Sequence, residues 1–246
     1  MISKAQIKEV RSLHQKKYRD EKKSFIAEGP KVVHALLKSS YRVKEIFAIE
    51  KFIVQGLEHP VQEVSEKELE QISALTTPNQ VLAVFEVAES ELNFDSLNQE
   101  LVLALDDIRD PGNFGTIIRI ADWFGIKNII CSETCVDLFN PKVMQAAMGS
   151  VSRVRVFYED LLTILPKVQV SLPLYAAAID GKNIYSQELP QYGIILIGNE
   201  SKGISENLLK ISTAKISIPK FSTEADSLNA AIATAVICAE FRRRKA

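Results

Sequence analysis

Apolar positions recur along this 246-residue chain with two different spacings, and the changes of spacing mark out its elements. Val32, Val33, Leu36 and Leu37 share one side of a 3.6-residue repeat and predict a helix over 31–38. Residues 44–50 and 80–87 read as strands and 66–75 as a helix between them, so the front of the chain is a small alternating α/β unit. From residue 101 the pattern becomes one of short, nearly continuous apolar runs, at 101–106, 128–131, 154–158, 174–178, 194–197 and 215–218. Helical patterns separate most of them, at 116–124, 141–148, 160–168 and 205–211, and a long one at 228–244 closes the chain. Strands that lack a polar face and alternate with helices predict a parallel sheet covered on both sides, with its ligand at the carboxyl ends of the strands.

Between the two patterns lies ESELNFDSLNQE, residues 89–100, which is polar, acidic and without periodicity. It divides the chain into a front domain at 1–88, a linker at 89–100 and a second domain at 101–246. Hydrophobic residues are 46% of the total and charged residues 25%, enough apolar side chain for packed cores and too little charge excess for a disordered chain. The longest nearly apolar stretch, 230–239, is broken by Thr234 and is shorter than the ~18 residues of a spanning helix. Lys4, Lys8 and Glu9 stand where a signal peptide would be apolar, so the expectation is a cytoplasmic protein with no membrane partner.

Cys131, Cys135 and Cys238 are an odd and sparse set, which argues against a disulfide framework and for buried thiols. The three histidines, His14, His34 and His59, all fall in the first quarter. The rest of the chain therefore has no imidazole to complete a zinc shell or a Ser-His pair, and no metal is expected. The net charge of −1 conceals basic ends: residues 1–31 hold nine Lys or Arg against four acids, and 242–245 are all basic. Residues 89–241 carry 12 basic and 19 acidic side chains, so a polyanion would be drawn to particular surfaces, unless the front run is simply a solvated helix face.

Three strand-to-loop junctions hold the candidate chemistry. The first runs Asp106-Asp-Ile-Arg-Asp-Pro-Gly-Asn-Phe-Gly115 and enters a helix that carries Arg119. Gly112 and Gly115 would let its backbone turn tightly against a ligand, and the free N–H groups of the helix start favour an anion. The second is Gly198-Asn-Glu-Ser-Lys-Gly203 after an apolar strand, and the third runs from Ile218-Pro219 to Asp226-Ser-Leu-Asn229. Asp226 or Ser227 could equally be a cap for the last helix, and the alanines that follow a packing surface. Neither Gly-x-Gly-x-x-Gly nor Gly-x-x-x-x-Gly-Lys-Ser/Thr occurs, which removes the common dinucleotide and P-loop readings.

Taken in order, these segments resemble the three signature motifs of the SpoU (TrmH-type) RNA ribose 2'-O-methyltransferases of the SPOUT superfamily. Asp110-Pro-Gly-Asn-Phe-Gly with Arg119-Ile-Ala is similar to the first motif, Leu196-Ile-Gly-Asn-Glu-Ser-Lys-Gly203 to the second, and Ile218-Pro219 with Ser227-Leu-Asn229 to the third. Weaker similarities at Ala147-Met-Gly-Ser150, Phe25-Ile-Ala-Glu-Gly-Pro30 and Thr77-Pro-Asn-Gln80 extend the resemblance over nearly the whole chain. It implies an α/β-knot catalytic domain that binds S-adenosylmethionine and pairs as a homodimer, preceded by an L30e-like domain that binds structured RNA, rRNA or tRNA and not DNA. Carried over by position, Asn113, Arg119, Glu200, Ser227 and Asn229 belong to the catalytic surface. Leu196, Ile197, Gly198, Ile218, Ser227 and Leu228 would line the cofactor, largely through backbone groups. Lys220 and Ser222 depart from the usual Met and Gly of the third motif, and Ala-Ala-Ile follows Asn229 where many members have Val-Ser-Val.

Methylating a ribose 2'-OH requires loss of its proton while the oxygen is held in line with the sulfonium methyl. Arg119 is often given the role of base in this family. A guanidinium keeps its proton in water, so gripping the adjoining phosphate and stabilising the developing alkoxide suits it better. Two rivals stand beside this reading: a non-catalytic RNA-binding protein with a SPOUT-like domain, and a SPOUT methyltransferase acting on a base nitrogen.

Overall fold

A computed structural model of the chain describes residues 1–49, 59–87, 91–97, 99–170, 172–224 and 227–243. Contacts group them into two compact units, Met1–Glu89 with Asp137–Arg153, and Ser90–Val136 with Val154–Ala246.

The first unit opens with α1 (Lys4–Ser12), started by a Ser3/Gln6 capping box, and α2 (Lys16–Lys22), which stops at Lys23 in the left-handed region (φ 44°). The basic front run is thus helical, and Val10 and Leu13 turn one side of it into core. Then follow β1 (Ser24–Glu28), α3 (Pro30–Leu37), β2 (Val43–Ala48), β3 (Gln62–Glu63), α4 (Glu66–Ile72) and β4 (Val81–Glu86). The sheet order is β1-β4-β2-β3, with β4 antiparallel to both neighbours and β2 parallel to β3. The strand expected at 44–50 ends at Ala48, and Glu50 lies outside the described residues.

The second unit begins with β5 (Leu101–Leu105), α5 (Pro111–Trp123) and β6 (Asn128–Cys131). Residues 137–153, read from the sequence as part of the second domain, pack with the first unit. Their helix α6 (Pro141–Ala147) buries Val143, Met144 and Ala147, and Phe139 stacks on Phe25 of β1 with ring centroids 4.3 Å apart. Returning to the second unit, the chain forms β7 (Arg155–Tyr158), α7 (Leu161–Val168), β8 (Leu174–Asn183), β9 (Gly193–Ile197), α8 (Glu206–Ile211), β10 (Ala214–Ser217) and α9 (Ala230–Arg242).

These strands form one parallel sheet in the order β10-β8-β9-β5-β6-β7. Every residue of β5, β6 and β9 is buried, as the continuous apolar runs predict. From β5 the chain first builds outward through β6 and β7 and then crosses to the other side, so β5 and β9 flank the topological switch. Their carboxyl ends are where such a sheet leaves a crevice. No helix among the described residues is long and apolar enough to cross a membrane.

Candidate functional site

The loops after β5 and β9 leave the sheet side by side and are tied together by backbone-directed bonds. Asp106 continues the ladder by donating its N–H to Ile197 O (2.9 Å), and its carboxylate accepts from Ser205 N (2.9 Å). Asp107 has φ 58°, a turn that Asp tolerates better than most residues. Its carbonyl accepts from Asn199 Nδ2 (2.8 Å). The Asn199 side-chain oxygen in turn accepts from Ser201 N and Lys202 N, which closes the 198–203 loop into a turn. Burial pushes the Asp107 carboxyl up, but hydrogen bonds from Arg109 and Thr134 and the charges of Arg109 and Lys202 outweigh it and hold it below the usual carboxylate range.

Gly198 is where the two ends of this turn meet. A Cβ placed there would lie 2.4 Å from Gly203 C and Ile204 N, closer than real Cβ contacts, and both obstacles are backbone. Gly198→Ala is therefore expected to cost about 1–3 kcal/mol by overpacking. Urea unfolding measures it, and a cost below 0.5 kcal/mol, the ordinary range of a tolerated surface change, would show that the loop yields freely.

Asp110 caps α5 by accepting from Asn113 N (2.7 Å), with Pro111 in the first turn. The tight turn expected at Gly112 and Gly115 is absent: both lie inside α5, which starts at Pro111 and not near 116. Starting the helix there brings Asn113 to the crevice. Its Nδ2 donates to Glu200 Oε1 (2.7 Å), and its Oδ1 accepts from Asn229 Nδ2 (2.8 Å). The Asn229 oxygen accepts from Ala231 N and Ile232 N, capping α9. The direction of this relay is fixed from one end, because a carboxylate only accepts; Asn113 must present its amide hydrogens to Glu200, and Asn229 must then present its own to Asn113. The cap of α9 is thus Asn229; Ser227 lies before it, and Asp226 is outside the described residues.

Asn113, Glu200 and Asn229, one from each junction, are thereby joined. Arg119 and Ser227 are not part of that relay: both are exposed, without a hydrogen bond or ion pair among the described residues. Arg119 lies six positions beyond Asn113, about 9 Å along the axis and well round the helix from it. Leu196 and Ile197 are buried in β9 at 0% and 2% exposure, so only their backbone can meet a ligand. Gly198 and Ile218 are half-buried and Leu228 is 49% exposed. Sequence reading overlooked Asp107 and gave Asn199 no role; an Asp or Asn just past a buried strand is the signal that could have drawn attention to both.

Asn113→Asp is expected to break the relay, since a carboxylate cannot donate to Glu200 and would repel it. The prediction is a loss of about 1–3 kcal/mol of stability, largest above the carboxylate range and smaller in acid; a pH-independent change would show that the two side chains do not face each other in solution.

A parallel α/β sheet whose switch-point loops are joined by an Asn-Glu-Asn relay, with Glu200 after β9 and the two asparagines at the starts of α5 and α9, is a domain of the class that takes a ligand at the carboxyl ends of its strands. Family models resolve which one. Residues 100–239 match the SpoU rRNA Methylase family and residues 4–83 the MRM3-like substrate binding domain. The chain belongs to the SpoU rRNA methylase family. It is 31% identical over 242 residues to the 23S rRNA (guanosine(2553)-2'-O)-methyltransferase RlmP of Bacillus subtilis, covering 96% of this chain and 95% of that one. Among solved structures, a TrmH-family protein from Porphyromonas gingivalis superposes with a TM-score of 0.89 at 37% identity over 99% of both chains. An AdoMet-bound rRNA methyltransferase from Sinorhizobium meliloti gives 0.86 at 31% identity, covering 99% of this chain and 96% of that one.

Proposed function

We propose that this protein transfers the methyl group of S-adenosylmethionine to the ribose 2'-OH of one nucleotide in ribosomal RNA, in the cytoplasm. The observation that carries the reading is the relay from Asn229 through Asn113 to Glu200, which assembles the three motif segments into one site. The full-length match to the guanosine 2'-O-methyltransferase of Bacillus subtilis and the AdoMet-bound relative support ribose chemistry and this cofactor.

In this reading the backbone of Leu196, Ile197 and Gly198 and the apolar flanks of Ile218 and Leu228 hold the cofactor. When bound, it supplies an electrophilic methyl on a sulfonium. Asn113 and Asn229 set the shape of the acceptor side, and Ser227 adds an exposed hydroxyl next to it. Arg119, exposed on α5, grips the RNA phosphate next to the target and stabilises negative charge on the 2' oxygen as its proton leaves to phosphate or water.

The 101–246 domain carries the family's knot and pairs the chain as a homodimer. Trp123 at the end of α5 is 85% exposed and Ile232 in the first turn of α9 53% exposed, two apolar side chains on packed helices that a second copy could cover. The 1–88 domain, with its basic front helices, guides the RNA. Calorimetry with S-adenosylmethionine and mapping of 2'-O-methyl sites in rRNA, with and without the gene, test the assignment together. Absence of cofactor heat, or unchanged 2'-O-methylation in the gene's absence, sinks it.

A further inference from the structure

The first unit contains a cavity of about 320 Å³ lined by Ala74, Leu75, Thr76, Thr77, Pro141, Lys142 and Gln145. One wall is built from below. Glu28 at the end of β1 accepts from Ser73 Oγ and from Ala74 N (2.8 Å), and Leu75 N donates to Ser73 Oγ (3.0 Å), which shapes the turn after α4. The opposite wall is the outer side of α6. Because Val143, Met144 and Ala147 turn inward, Lys142 and Gln145 are left exposed.

The lining has three kinds of group. Leu75 and Pro141 offer apolar faces, Lys142 one cation, and Thr76, Thr77 and Gln145 neutral donors and acceptors. None of these four polar side chains has a partner among the described residues, and no acidic residue lines the cavity. Its volume is at the small end of ligand pockets. A flat ring, a sugar with hydroxyls and one negative charge would use all three kinds of group at once, whereas an isolated anion would take the donors of Lys142, Thr76, Thr77 and Gln145 and leave the apolar faces of Leu75 and Pro141 uncovered. Single-stranded RNA offers such groups when a base is splayed out: base and sugar edges for hydrogen bonds, a phosphate for a cation, and a ring face that Leu75 and Pro141 can cover where an aromatic side chain would otherwise stack.

We propose that this cavity seats one unstacked nucleotide of the RNA substrate, its phosphate against Lys142 and its base and sugar edges against Thr76, Thr77 and Gln145. The inference rests on the RNA substrate proposed above, and adds a place where the first unit reads single-stranded nucleotides rather than only attracting charge.

The test uses the full-length protein with mixed-sequence ribohexamers, inorganic phosphate as the competing small anion, and the variants Lys142→Ala and Gln145→Ala. Both positions are exposed on α6, and matching melting curves establish that the variants are folded. Ultraviolet crosslinking of the hexamers is expected to label the peptides spanning 74–77 or 141–145. Each variant should bind them roughly tenfold more weakly, the size of one lost base or phosphate contact. Lys142→Ala should also lower the slope of log affinity against log salt by about one, and Gln145→Ala should leave that slope unchanged.

Failure of the hexamers to bind wild type, crosslinks confined to other segments, or unchanged affinity in both variants would overturn the proposal. So would a loss in Lys142→Ala alone with phosphate competing as well as the hexamers, which would make the cavity a plain anion site. Cofactor calorimetry on the same preparations keeps the two readings apart: wild type that binds the hexamers here without cofactor heat defeats the methyltransferase assignment and not the pocket.

Discussion

Arg119→Ala is expected to lower single-turnover methyl transfer by roughly 10² to 10³ while S-adenosylmethionine affinity stays within a few-fold of wild type. The separation follows from position. Arg119 on α5 has no side-chain partner among the described residues, so its removal disturbs no described side-chain hydrogen bond, and the groups proposed to hold the cofactor lie at the end of β9 and on the loops after β9 and β10. A group that acts chiefly on charge developed in the transition state reduces turnover without an equal loss of ground-state binding. Arg119→Lys should restore little, because an ammonium cannot reproduce the planar fork that spans phosphate and ribose oxygens. Near-normal transfer by the folded, RNA-saturated alanine variant would remove Arg119 from the mechanism.

How far the chain could be read in advance depended on where its chemistry is local. The strands of the second sheet were legible because burial on both faces leaves no polar residue to break the run; the strand expected at 128–131 is β6 to the residue. β1 was missed although its first four residues are all buried, because it follows a basic helical segment with no turn signal other than Lys23, a residue not usually found in the left-handed region. The second half of β8 was also missed. Asp180–Asn183 lie beyond the strand expected at 174–178, yet Lys182 and Asn183 pair with Ile216 and Ser217 of β10, and Gly181 leaves room for the Ile216 backbone at the register shift.

The site divides in the same way. Asn113, Glu200 and Asn229 were found through motif similarity, and their joining in one relay depends on β5 and β9 being neighbours and on α9 returning to α5, which no local pattern encodes. The start of α5 was misplaced because two glycines outweighed the Asp-Pro signal for a helix start, although capping by Asp110 and a first-turn proline are the stronger physical cue. Residues 137–153 show the limit most plainly. They follow the second unit's β6 in sequence, and only the partners of Asp137, Phe139 and α6 assign them to the first unit. A truncation at residue 88 would therefore strip the cover from Val143, Met144 and Ala147.

The anchor of that segment is the second large expected effect: Asp137→Ala should destabilise the protein by about 3–5 kcal/mol in urea unfolding. Arg19 of α2 has a side chain only 4% exposed, and its Nε and Nη2 both donate to Asp137 Oδ2, at 3.0 and 2.5 Å. Nη1 is held by the carbonyls of Leu13 and His14, at 2.8 and 2.9 Å, so the guanidinium cannot swing out to water without giving up those bonds as well. Removing the carboxylate leaves a positive charge buried against two carbonyls with no counter-charge, the costly half of a broken ion pair. Replacing both partners by apolar residues, Arg19→Met with Asp137→Leu, removes the buried charge along with its partner and should recover most of the loss, since a well-packed apolar pair often equals a buried ion pair in stability. A single Asp137→Ala variant that unfolds within 1 kcal/mol of wild type would show that water reaches Arg19, and that the pair does not fasten residues 137–153 to the first unit.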